Sequence, residues 1–91
     1  MSEHRLYRKL YVFARTQDCL LRYCCFEDLQ SNQFCVQNVD HLYPPFEKES
    51  VVERDIEILE LLFEQAPSDR SPCWPTIQEA IARFEQDFRG D

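Results

Sequence analysis

The chain has 91 residues, 44% hydrophobic and 13% aromatic, which suits one modest domain and excludes a disordered segment. Ten bases stand against seventeen acids, and the net charge of −7 disfavours nucleic-acid binding, which needs a basic surface. No apolar run approaches the ~20 residues that span a bilayer. The charged opening MSEHRLYRKLY also lacks the apolar stretch of a signal peptide, so a cytoplasmic location without membrane contact is expected.

The charge is unevenly placed. Residues 1–43 balance five bases against five acids, whereas residues 44–91 set five bases against twelve acids and carry the whole imbalance. Side-chain type divides at the same place. Residues 4–43 hold seven of the twelve aromatics and one glutamate, Glu27, a composition of strands. Strands are expected near Tyr7–Arg15, Cys19–Glu27 and Gln33–His41, joined by the polar turns TQD and DLQSN. They form a three-stranded antiparallel meander over residues ~6–42. Against this, the single glycine is Gly90, and hairpin turns usually use one. Leu6, Tyr7, Leu10, Tyr11 and Ala14 also fit helical spacing, so an all-α bundle is the alternative.

Tyr43-Pro44-Pro45 ends the strand pattern, and helix signals follow. Ser50 with Glu53, and Thr76 with Glu79, each make a capping box. Two amphipathic helices are expected at ~51–65 and ~77–88. The first would turn Val52, Ile56, Leu59 and Phe63 to the core, flanked by Leu62 and Ala66; the second would turn Ile77, Ala80, Ile81, Phe84 and Phe88. In the connector PSDRSPCWP, three prolines are expected to prevent any regular element. Both helices on one sheet face make a small two-layer sandwich of α+β class, a single domain over residues 1–91.

Five cysteines invite chemistry, but an odd number precludes full pairing, and reduced thiols are the default inside cells. Their spacing, C-x₄-C-C-x₉-C with Cys73 far off, fits neither a zinc site nor a C-x-x-C redox pair. Cys24 and Cys25 would point to opposite faces of a strand. A thiol nucleophile with His41 as base would need an electropositive, part-exposed setting, whereas Tyr23 and Phe26 flank this pair. Cys19, Cys24, Cys25 and Cys35 are therefore expected as core filler, and His4 and His41 as surface residues. No catalytic residue, metal site or cofactor is expected; a glycine-poor chain cannot build a phosphate loop.

One feature stands above background. Glu53, Glu57, Glu60 and Glu64 form a band about 60° wide on the first helix. Like charges at these spacings cost ~0.2–0.5 kcal/mol per pair, and only Arg54 offers local relief. A solvated face is the plain reading; a docking surface for a basic protein is the sharper one, with Leu61 as an apolar contact beside the acids. The carboxylates are too sparse to imitate a DNA strand, which carries a phosphate every ~3.4 Å. A small acidic chain of this kind suits a bacterial immunity or antitoxin-like protein that neutralises a basic toxin, a nuclease among the candidates, by stoichiometric binding. The alternative is a non-catalytic structural or regulatory subunit, or adaptor, using Tyr7, Tyr11 and Trp74 in a homodimer or complex interface.

Overall fold

The aromatic segments of the first half are strands. The computed structural model describes residues 4–89, with side chains to residue 87, and runs β1 (Tyr7–Arg15), β2 (Leu20–Asp28), β3 (Gln33–Leu42), α1 (Lys48–Glu64), α2 (Pro67–Arg70) and α3 (Ile77–Arg89). The sheet is antiparallel in the order β1-β2-β3, the expected meander. Tyr11 pairs with Cys24 across β1 and β2, and a bulge in β3 lets Cys24 oppose Asn38 while Cys25 opposes Val36.

Neither turn contains glycine, and three polar side chains shape them. Thr16 Oγ1 accepts from the backbone N–H groups of Asp18 and Cys19 at 3.3 and 2.9 Å, closing the first hairpin. In the second, Asn32 takes the left-handed conformation with φ 58°, which asparagine tolerates better than most residues. Asp28 Oδ1 accepts from the Gln30 N–H at 3.0 Å, an Asx turn that starts this reversal.

Three local expectations are corrected. Helix α1 begins at Lys48 with Glu47 at its N-cap and no side-chain cap, so Ser50 lies inside the helix and its capping box does not form. In the connector, α2 forms although no regular element was expected there. Pro67 occupies its first turn, where a missing N–H costs nothing and a preset φ favours the helix. Farther on, Phe34 and Trp74 exchange both backbone hydrogen bonds at 2.8 Å, so this stretch also pairs with β3. The second capping signal does act as expected, with Thr76 Oγ1 accepting from the Glu79 N–H at 3.1 Å.

The layering also differs from expectation. Tyr23, Cys25 and Val36 on one face of the sheet pack with Ala80, Ile77, Ile81 and Phe84 of α3. On the other face Cys24, Phe26 and Cys35 pack with Ile58 and Leu62 of α1. The two long helices therefore flank the sheet, three layers rather than two. Alternate residues of β2 feed separate cores, and this explains why Arg22 through Phe26 are all buried. The α3 stripe faces inward as expected, although the side chain of Phe88 lies outside the described residues. Among the described residues, no helix is long and apolar enough to cross a membrane.

Candidate functional site

The position of α1 is set by a charge cluster built on the buried pair Arg22 and Asp40. Arg22 on β2 lies under the helix and donates to Asp40 Oδ2 on β3, Nη2 at 2.9 Å and Nε at 3.3 Å. The same Nη2 reaches Asp55 Oδ1 of α1 at 3.2 Å, and Tyr11 of β1 donates its hydroxyl to that oxygen at 2.8 Å. Arg54 of α1 donates to Asp40 Oδ1 at 3.3 Å, as does Asn38 Nδ2. The Arg22 guanidinium also lies 4.3 Å from the centre of the Tyr11 ring. Two guanidiniums thus balance two carboxylates across three strands and a helix, the condition under which such groups tolerate burial.

This cluster fixes the rotation of α1 about its axis. Asp55 points inward with Val51, Ile58 and Leu62, and Ile58 is 3% exposed. The apolar stripe expected in the core therefore faces out: Val52 is 43%, Ile56 49%, Leu59 56% and Phe63 93% exposed. That expectation is corrected, and the reason is legible in the contacts. A stripe of four apolar residues lost to one of three apolar residues and an aspartate, because Arg22 supplies the partner for Asp55. Asp55 reaches β1 whereas Arg54, on the opposite flank, reaches β3. The outward stripe, on the Asp55 side, thus inclines towards the β1 edge of the sheet. There Phe13 is exposed beside Tyr11, their ring centroids 6.4 Å apart.

The expected site residues separate accordingly. Glu53, Glu57, Glu60 and Glu64 are all exposed and border the outward stripe. Leu61 is half-buried on the Arg54 flank, so Leu59 and Phe63 supply the protruding apolar contacts instead. Arg54 is engaged with Asp40 and offers the glutamates no direct pairing. An open groove lined by Lys48, Glu49, Val52, Glu53 and Ile56 runs into the same surface. Four exposed apolar side chains on one helix face, bordered along one side by carboxylates, form a patch of the kind that marks an interaction surface.

The other candidates are occupied internally. Tyr7 shares a hydrogen bond with Ser68 Oγ at 3.1 Å, Tyr11 is held by Asp55, and the Arg83 guanidinium lies 4.8 Å from the centre of the Trp74 ring. These aromatics, expected at an interface, are half-buried. Cys24 and Cys25 are fully buried, one in each core, and burial pushes their thiols up to about 11 and about 12. Cys35 is buried too and is likewise pushed up to about 12, by burial first and by its neighbour Cys73 next. Cys19 departs from its expected place in the core: it is half-buried in the first turn, where the Thr16 hydroxyl donates to its sulfur at 3.4 Å. His4 and His41 are exposed, as expected. Among the described residues, no group of three or more His, Cys, Asp or Glu side chains could hold a metal ion. No protein-family model, curated protein or solved structure matches the chain.

Proposed function

We propose that the protein is a non-catalytic, stoichiometric binder that docks a basic protein through the outer face of α1. In the manner of immunity and antitoxin proteins, it would cover and neutralise a cationic toxin surface, a nuclease active-site mouth being one such target. The observation that carries this reading is the outward stripe Val52, Ile56, Leu59 and Phe63 with Glu53, Glu57, Glu60 and Glu64 along its border. Apolar anchors beside a charged border suit a protein interface, whose apolar centre gives way to a polar edge. The helix holds six acids and two bases, which selects a partner whose apolar contacts are framed by lysine and arginine. Two antiparallel copies of α1 would set glutamate against glutamate, which argues against direct self-pairing of the helix.

A second reading draws on β1, which carries Arg8, Lys9 and Arg15 and no acid. A second copy could lay its acidic α1 against this basic edge strand and act as a structural or regulatory homodimer. Sedimentation equilibrium separates the readings first. A monomer with α1 open favours the heterologous partner, and a dimer dissociated by Phe63→Asp favours the homodimer and overturns the first reading. For a monomer, wild type and Phe63→Asp are then compared as bait in extracts of the source cells. The expected result is a basic protein retained by wild type and lost with the variant. Retention of an acidic protein, or equal retention by both baits, would refute the docking surface.

A further inference from the structure

Cys73 lies far along the chain from the other four cysteines, but the fold returns it to one of them. Phe34 N–H donates to the Trp74 carbonyl and Trp74 N–H to the Phe34 carbonyl, each at 2.8 Å. That antiparallel register sets Cys35 opposite Cys73 at the next, non-hydrogen-bonded position, where Cα atoms usually lie ~4.5 Å apart. Disulfides bridge Cα atoms about 4.4–6.8 Å apart. Both side chains join the core beneath α1, and Cys73 is near enough to push the buried Cys35 thiol up further. Cys35 is buried, while Cys73 is half-buried. Cys25 projects to the opposite face of the sheet, and Cys19 lies at the other end of β2 from Phe26, the partner of Cys35.

We propose that Cys35 and Cys73 are a site of reversible thiol oxidation, closing to an intramolecular disulfide under a small-molecule disulfide such as oxidised glutathione. Cys73 gives its proton to solvent, and its thiolate attacks one glutathione sulfur, breaking that disulfide and releasing one glutathione thiolate. The Cys35 sulfur then displaces the second glutathione, its proton passing to the departing thiolate. Two protein thiols lose two electrons and one small disulfide gains them, yielding two glutathione thiols. The bond closes a loop of about 40 residues and removes chain entropy from the unfolded state. It also clamps the α1–α3 connector to β3, where Gln37 Nε2 already donates to the Pro67 carbonyl and to Ser71 Oγ at 3.4 and 3.1 Å. The proposal stands apart from any partner of α1.

The test uses the reduced 91-residue chain incubated with oxidised glutathione, then digested without reductant for mass spectrometry. The expected product has lost two hydrogens, links the Cys35 and Cys73 peptides, reverts with dithiothreitol, and melts more than about 10 °C above the reduced form. Cys73→Ser should abolish the link and Cys19→Ser should preserve it. Because Cys35→Ser buries a hydroxyl and endangers folding, the Cys73 variant carries the control. Glutathione retained on Cys73, a link through Cys19, a dimer joined between chains, or two unmodified thiols would each overturn the proposal.

Discussion

Cys24 and Cys25 are adjacent in the chain and belong to different cores, each filling a space that a thiol suits by size and weak polarity. Burial pushes Cys24 up to about 11 and Cys25 and Cys35 to about 12, from an ordinary value of 9.0. A raised value means that the folded state keeps the proton while the unfolded chain loses it. The contribution is therefore intact below pH ~9 and is lost as pH rises through the folded values. Each buried thiol should remove about 1 kcal/mol of stability between pH 7 and pH 10. Urea midpoints at pH 7, 8.5 and 10 check this, with Cys24→Ala expected to show a shallower decline than wild type. Thiolate absorbance rising near pH 9 in a variant lacking Cys19 and Cys73 (both replaced by Ser) would contradict it. The apolar flanks of Cys24 and Cys25 made their burial legible in the sequence. Cys73 was not legible as a neighbour of Cys35, because only the Phe34–Trp74 pairing brings residues so distant in sequence together.

The two long helices show where periodicity informs and where it misleads. In α3 the apolar residues form one stripe, so only one rotation buries it, and Ile77, Ala80, Ile81 and Phe84 meet the sheet as expected. In α1 two faces compete. Val52, Ile56, Leu59 and Phe63 form the more apolar stripe, yet Val51, Asp55, Ile58 and Leu62 are turned inward because Arg22 and Tyr11 await Asp55. An aspartate turned towards the sheet is costly alone and tolerated with such partners, and sequence spacing does not reveal partners on another element. Ile58→Ala should therefore destabilise the fold by about 2–4 kcal/mol. Leu59→Ala and Phe63→Ala should each stay within about 0.5 kcal/mol of wild type. Denaturant unfolding of the three variants decides the matter; the reverse order of costs would mean that the expected stripe is the buried one.

Across the whole molecule, the radius of gyration of 14.0 Å exceeds the ~12 Å usual for a compact chain of this length. One sheet sandwiched by single helices is a thin body, and it leaves the far side of α1 open. Charge separates over this body, with three bases and no acid on β1 and a net −4 on α1 from six acids and two bases. If α1 steers a basic partner, replacing Glu57, Glu60 and Glu64 together by glutamine should slow association several-fold at low salt and flatten its dependence on ionic strength. Phe63→Ala should act on dissociation instead. Stopped-flow association over a salt series reads both; unchanged rates in the triple variant would reduce the glutamates to a solvated face. Local sequence pattern carried the α+β class, with an all-α bundle as its alternative, the three strands in their order along the chain, and the site of the second helix. Those properties follow from local preference: aromatic and β-branched residues favour strands, Thr16 and Asn32 favour turns, and a single apolar stripe favours a helix. The side of the sheet on which each helix lies, the rotation of α1 and the meeting of Cys35 with Cys73 arose only in the folded molecule. Each depends on a pairing between residues distant in the chain, Asp55 with Arg22 or Phe34 with Trp74, whose energy exists only once both partners are in place.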